Sequence, residues 1–207
     1  MSTTRTFTVR FATSENDLEC CYRLRAEAER WLAANSVEQW TNPQTGRTAI
    51  RAAYDAGALY VFADDAGDIV ACCSLSGPDP DFWRPWERTE PAIYLYKLII
   101  ARSHAGLGLG DAILDWACHR AHQAGAKWLR LDCWKDNTTL QDYYLDRGFT
   151  HLDTRTAVGR NSGWLAQRDV HHRTGDQSVV LLDDTLSVPR HQRVFIPGDE
   201  HRYDPQG

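Results

Sequence analysis

From Leu98 to Gly110 the chain reads Leu-Ile-Ile-Ala-Arg-Ser-His-Ala-Gly-Leu-Gly-Leu-Gly, an apolar run entering a glycine-rich loop and then a helical pattern. Glycines let successive backbone N–H groups turn inward without a Cβ clash, and a helix N-terminus adds about half a positive charge. The junction is therefore a cradle for an anion such as a diphosphate, held mostly by main chain. The plainer alternative is a tight strand-to-helix turn. Neither common nucleotide motif fits, because there is no Gly-Lys-Ser/Thr ending and no acidic residue closing a following parallel strand. A second block lies downstream: Leu131-Asp132-Cys133-Trp134-Lys135-Asp136-Asn137, then Leu140, then Tyr143-Tyr144-Leu145-Asp146-Arg147-Gly148-Phe149.

The pattern of the chain supplies elements to hold these blocks. A β-rich segment over Thr6–Thr13 is followed by Ser14 as an N-cap and by a helix ending near Asn35. Leu18, Tyr22, Arg25, Ala26, Glu29, Leu32 and Ala33 share one stripe of that helix, apolar except for two charges. Thr41-Asn42-Pro43 breaks the pattern before a short helix over Thr45–Ala56. Two strands, Ala58–Ala63 and Asp68–Ser76, flank the hairpin chemistry of Asp64-Asp65-Ala66-Gly67. A proline-rich loop with Trp83 and Trp86 runs from Gly77 to Pro91 and reads as a wall or lid.

Ala92–Ile100, with Lys97 its only charge, suits a central strand covered on both faces, and the next helix, Gly108–Ala124, ends at Gly125. Then come a strand over Trp128–Trp134, a helix over Thr138–Asp146, and strands over Phe149–Val158 and Trp164–Val170 around the turn Gly159–Gly163. One domain is expected over residues 1–170, with a C-terminal extension over 171–207. Gln177–Leu182 is an extra strand there, followed by a weakly ordered tail.

Taken together, the two blocks resemble the GNAT superfamily of acyl-CoA N-acyltransferases. The motif Gln/Arg-x-x-Gly-x-Gly/Ala looks like Ala105–Gly110, and a closing motif of Asn, spacer and Tyr-x-x-x-Gly-Phe looks like Asn137, Tyr144, Gly148 and Phe149. The resemblance covers about Ala92 to Arg168. It implies an α/β fold of the α+β type, with a mixed, mostly antiparallel sheet splayed at the fourth strand and helices on both faces. Backbone groups of Leu98, Ile99 and Ile100 would pair with the pantetheine arm of acetyl-CoA. The amides of Gly106, Leu107, Gly108, Leu109 and Gly110 would bind its diphosphate, and Asn137 and Tyr144 would complete the coenzyme site. Ala105 departs from the family's Gln/Arg, so one side-chain contact is absent. Backbone binding survives that loss, with Arg102 or His104 as the neighbouring aids.

Acyl transfer to nitrogen needs a neutral amine, a polarised carbonyl oxygen and a proton for the departing thiolate. The resemblance makes Tyr144 the thiolate acid. Tyr143 is the adjacent decoy, since neighbouring helix positions face about 100° apart. Where some relatives carry a strand Glu as base, this chain has Tyr94, a poor base at neutral pH. Glu38 and Asp132 are the carboxylates to test, with Glu90 third, and a water relay or an already neutral amine stays open. Trp40, Tyr94, Tyr96 and the Arg160–Gly163 turn are the candidates to shape the acceptor pocket.

Composition narrows the setting. The formal net charge of −5, with scattered Lys and Arg, disfavours nucleic acid. No stretch approaches the roughly 20 apolar residues of a membrane span, and the N-terminus has no signal-peptide core, so a cytoplasmic protein is expected. The six cysteines lack metal-ligand spacing and read as reduced, mostly buried thiols. His119 with His122 and His171 with His172 lack supporting ligands, so no metal is expected. The resulting expectation is acetyl transfer from acetyl-CoA to a primary amine of a small molecule, by direct attack through a tetrahedral intermediate, in a possible homodimer. A peptide or protein N-terminus is the competing acceptor. A non-catalytic acyl-CoA-binding protein is the reading from another class, favoured by Ala105, Tyr94 and the tail.

Overall fold

Side-chain caps and proline placement start the first two helices. In the computed structural model, which describes residues 4–40, 42–174 and 178–185, strand β1 (Arg5–Phe11) leads to helix α1 (Glu15–Ala34) through a capping box. Ser14 Oγ accepts from Asp17 N at 3.1 Å, and Asp17 Oδ2 accepts from the Ser14 N–H at 3.2 Å. Helix α2 (Pro43–Asp55) starts two residues before its expected position. Asn42 Oδ1 caps the Thr45 N–H at 3.2 Å, and a proline at the first helical position is pre-set for helix and sacrifices no bond.

The remaining elements are β2 (Leu59–Ala63), β3 (Ile69–Ser76), β4 (Ala92–Ile100), α3 (Leu109–Gln123), β5 (Trp128–Trp134), α4 (Thr138–Leu145), β6 (Thr150–Thr154), β7 (Ser162–Asp169) and β8 (Val179–Asp183). The strands form one eight-stranded sheet in the order β6-β7-β5-β4-β3-β2-β1-β8. The pairs β1–β2, β2–β3, β5–β7 and β6–β7 are antiparallel, while β4–β5 and β1–β8 are parallel. This is the mixed, mostly antiparallel sheet expected. The extension supplies the extra strand as β8, and its expected tail lies outside the described residues.

Packing divides the described chain into two compact units. The first comprises the residues up to Ser74, Tyr96–Leu114, Thr174 and 178–185. Its core joins Leu18, Cys21 and Leu24 of α1 to Ile50 of α2, Leu59 and Val61 of β2, Cys72 of β3 and Ile99 of β4. The two charges on the α1 stripe belong to this packing. Arg25 is only 8% exposed; its Nε donates to Glu29 Oε1 at 2.6 Å, and its Cζ lies 3.6 Å from the ring centroid of Trp40. A stripe that looked imperfect is a paired and stacked guanidinium, the arrangement that makes a buried arginine tolerable.

The second unit comprises Leu75–Leu95 and Asp115–Arg173. Here β4 pairs with β5 from Ala92↔Trp128 to Tyr94↔Arg130, while β5 continues against β7 as far as Trp134↔Ser162. The Gly77–Pro91 loop is not featureless, since Pro85–Thr89 forms a turn of 3₁₀ helix. Trp83 is fully buried edge-on to Tyr94 at 5.1 Å, whereas Trp86 is exposed. Arginines tie the loop down. Arg88 donates to the Trp83 carbonyl, Arg155 to the Phe82 carbonyl and the Glu87 carboxylate, and Arg130 to the Glu87 carbonyl at 2.6 Å. Strand β6 stops at Thr154 rather than Val158, because a register shift between His151 and Asp153 is followed by Arg155 turning to Glu87.

All six cysteines are free thiols, and five are buried. Among the described residues no helix is long and apolar enough to cross a membrane.

Candidate active site

In the first unit β4 delivers the chain to the glycine-rich loop through one 3₁₀ turn over Arg102–His104. Gly106 and Gly108 take φ of +75° and +83°, the left-handed region where a side chain is strained. A Cβ built on Gly106 meets nothing within 4 Å, so the glycine is needed for conformation and the space beside it stays open. Leu109 opens α3, whose first N–H groups have no intrahelical acceptor, as in any helix. These features fit a coenzyme diphosphate: open space beside Gly106, two left-handed glycines and main-chain N–H groups at the positive end of a helix of 15 residues.

One feature of β4 escaped sequence reading. Lys97, a non-glycine residue in mid-strand, sits at φ +53°. A left-handed residue there costs about 1–2 kcal/mol and breaks the strand's alternation, as a β-bulge does. The pattern shows it: Ile93, Tyr94 and Leu95 are all buried, then Tyr96, Lys97 and Leu98 are half-buried. The lone charge in an apolar strand was its only trace in the sequence. The kink directly precedes Leu98, Ile99 and Ile100, whose backbone groups were expected to meet the pantetheine arm.

Glu38 lies in the same unit, in the 3₁₀ turn Glu38–Trp40 that follows α1, and is exposed. Trp40 is half-buried against the unit's core and stacked by Arg25.

In the second unit α4 starts after Asn137, whose Oδ1 accepts from the Leu140 N–H at 3.0 Å. That oxygen is committed to capping the helix. About two turns later Tyr144 is buried, edge-on to Tyr143 at 5.4 Å and to Phe149 at 5.3 Å. Burial pushes its phenol well above the ordinary range, with the negative forms of Cys133, Tyr143 and Asp132 adding to the rise. Tyr144 therefore holds its proton throughout the physiological range. Tyr143, by contrast, carries the Arg147 guanidinium at 3.6 Å over its ring.

Asp132 on β5 is half-buried and close enough to act electrostatically on both Tyr144 and Arg160. Arg160, in the turn between β6 and β7, donates to Asp79 Oδ2 and to Asp81 Oδ2, each at 2.6 Å, and lies over Phe82. Burial would lower the Arg160 pKa, but bonding to Asp79 and attraction from Asp132 and Asp81 raise it. Three carboxylates thus act on one guanidinium in this corner. The involvement of Asp79 and Asp81 carried no motif; only folding of the loop onto the turn revealed it.

Glu90 is a different kind of carboxylate. It accepts from Lys127 Nζ at 2.7 Å and Trp128 Nε1 at 3.0 Å, and Arg130 stands 3.7 Å away. The Lys127 bond leads the causes that hold its pKa down, which makes it a weak base and a fastener between the loop and β5. Tyr94 is likewise structural, its hydroxyl accepting from Arg130 Nη1 at 3.2 Å. The two imidazole pairs meet at one point, His122 and His171 lying edge-to-face at 4.6 Å.

Residues 17–149 match the sequence model of the Acetyltransferase (GNAT) family, well over half of the chain. The chain belongs to that family. The uncharacterised N-acetyltransferase YesJ of Bacillus subtilis (strain 168) is 29% identical over 145 residues, covering 66% of this chain and 78% of YesJ. A GNAT acetyltransferase from Listeria monocytogenes 4b F2365 superposes with a TM-score of 0.66 at 24% identity, covering 79% of this chain and 94% of the other. PaiA N-acetyltransferase from Thermoplasma acidophilum, solved in complex with coenzyme A, gives a TM-score of 0.60 at 14% identity over 79% of this chain and 98% of its own. At such identities the two solved structures speak for the GNAT fold. The family match spans both the Ala105–Gly110 cradle and Tyr144.

Proposed function

We propose that this acetyltransferase moves the acetyl group of acetyl-CoA onto a primary amine of a small molecule, by direct attack through a tetrahedral intermediate. The observation that carries the reading is Tyr144, a buried phenol held in its protonated form with the Asp132 carboxylate close by. Acyl transfer from a thioester to an ammonium requires one group that gives a proton to sulfur and another that takes one from nitrogen. Main-chain N–H groups from Gly106 to Gly110 bind the diphosphate, and backbone groups of Leu98–Ile100, set by the Lys97 kink, meet the pantetheine arm. Tyr144 protonates the departing thiolate, and Asp132 accepts the proton of the amine.

The carboxylates of Asp79, Asp81 and Asp132 gathered around Arg160 suit an acceptor that arrives as a cation. Glu38, exposed in the first unit, is the second candidate base. Purified protein incubated with acetyl-CoA and a panel of amines, with free thiol followed, tests the activity. Release with cationic small amines is expected, and no release with any amine or peptide would refute it. With an accepted amine in hand, Asp132→Asn should lower kcat by about 10²-fold. A fall of that size in Glu38→Gln instead would transfer the role.

A further inference from the structure

A coenzyme diphosphate brings negative charge to a cradle built of neutral amides, and the sequence around that cradle is nearly devoid of cations. Arg102 is the single Lys or Arg between Leu98 and His119. His104, the other nearby candidate, is engaged: its Nδ1 lies 2.9 Å from Ser103 Oγ, its Nε2 faces Asp64 at 4.0 Å, and its ring packs edge-on to Phe7.

Arg102 is placed differently. It opens the 3₁₀ turn that enters the cradle, and its main-chain N–H donates to Glu27 Oε2 at 3.1 Å, which occupies the acidic group at that turn. Its guanidinium lies over the indole of Trp31, with Cζ 4.0 Å from the ring centroid. Trp31 stays 41% exposed, large for a tryptophan on a helix that buries its other face. A guanidinium held over an aromatic face by cation–π attraction keeps N–H groups for contact with an oxyanion. Among the described residues those N–H groups have no carboxylate partner. The side chain is thus ordered without being neutralised, which an arginine serving only as a solvated surface charge does not need.

Resting on the acetyl-CoA reading above, we infer that Arg102, held over Trp31, binds a phosphate group of the coenzyme beside the Ala105–Gly110 cradle. It thereby supplies the cation that Ala105 cannot.

Isothermal titration of the full chain with coenzyme A and with dephospho-coenzyme A, which lacks the 3′-phosphate, tests this at low and at physiological salt. Arg102→Ala should weaken coenzyme A about five- to tenfold at low salt and less at 0.15 M, as expected for an exposed charge. Arg102→Lys should recover part of the loss, since a point charge replaces a fork. An equal loss for both ligands assigns the contact to the diphosphate, and a loss confined to coenzyme A assigns it to the 3′-phosphate; either supports the inference. Melting temperatures should match, because the bond to Glu27 is made by the main chain. Arg102→Ala binding both ligands within about twofold of wild type overturns the assignment, as does His104→Ala showing the loss in its place. Wild-type protein that binds neither ligand would instead overturn the acetyl-CoA reading, and the role of Arg102 with it.

Discussion

Replacing Gly46 by alanine sets a gain in helix propensity against a steric loss, and the surroundings of Arg25 decide the sign. Gly46 lies in the first turns of α2, where alanine is worth about 1 kcal/mol over glycine. A Cβ there would stand 2.8 Å from Arg25 Cζ and 2.9 Å from its Nε and Nη2. A guanidinium is the far end of a flexible side chain, but this one is buried, bonded to Glu29 at 2.6 Å and stacked on Trp40 at 3.6 Å. Displacing it gives up most of a charge-assisted hydrogen bond, about 1.5–3 kcal/mol, and of a desolvated cation–π contact, about 1–2 kcal/mol. Net destabilisation is then about 1–3 kcal/mol, or roughly 3–10 °C in Tm for a chain of this size. Thermal melts of Gly46→Ala, Arg25→Met and the double variant measure it. With methionine at position 25 the obstruction is flexible and uncharged, so Gly46→Ala should become neutral or stabilising there. A higher Tm for Gly46→Ala in the wild-type background, or an equal loss in both backgrounds, would refute the argument. The same clamp holds the turn that carries Glu38, so the Arg25→Met variant also reports whether that turn matters to turnover.

Tyr144→Phe should lower kcat by about 10²- to 10³-fold while leaving coenzyme A affinity unchanged in titration; an unaltered rate removes Tyr144 from the mechanism. Since burial raises the phenol pKa, the wild-type rate should show no alkaline loss through this group up to about pH 10. For Asp17, burial raises the pKa, but the bidentate Arg10 and the N–H groups of Thr13 and Ser14 outweigh it and bring the value from 3.8 to about 2. A folded value below the unfolded one means stability present above about pH 4 and lost as pH falls toward 2, worth about 2 kcal/mol. Asp17→Asn should therefore unfold more easily at pH 7, with a flatter stability curve from about pH 4 to 2; identical slopes would contradict this. Glu90→Gln should keep turnover within about twofold and lower the melting temperature slightly, as loss of a mostly exposed fastener implies; a large fall in kcat would return Glu90 to the list of bases.

Local rules were sufficient where the physics is local. Ser14 as a cap, Gly125 as a helix end and the glycines before α3 each act within a few residues, so their types alone marked those boundaries and the glycine-rich loop, whereas Asn42 was read as part of a turn and caps a helix that starts two residues early. The order of strands and helices followed from periodicity, and the family from two motifs with the right spacing. The motif neighbours Gly148 and Phe149 singled out Tyr144 over Tyr143 as the candidate acid, and the structure buries Tyr144 while Tyr143 stays half-buried. What pairs residues far apart in the chain was decided by tertiary structure. Arg25 looked like a flaw in a helix stripe until Trp40 and Gly46 closed on it. Glu90 remained a candidate base until Lys127 and Trp128, some 37 and 38 positions away, occupied its oxygens. Asp79 and Asp81 became part of the electrostatics around Asp132 only through Arg160, and Arg102 acquired a direction only through Trp31. The reason is common to these cases. A charged side chain's pKa, partner and role depend on groups within a few ångströms, and chain separation says little about which groups those are until burial brings them together.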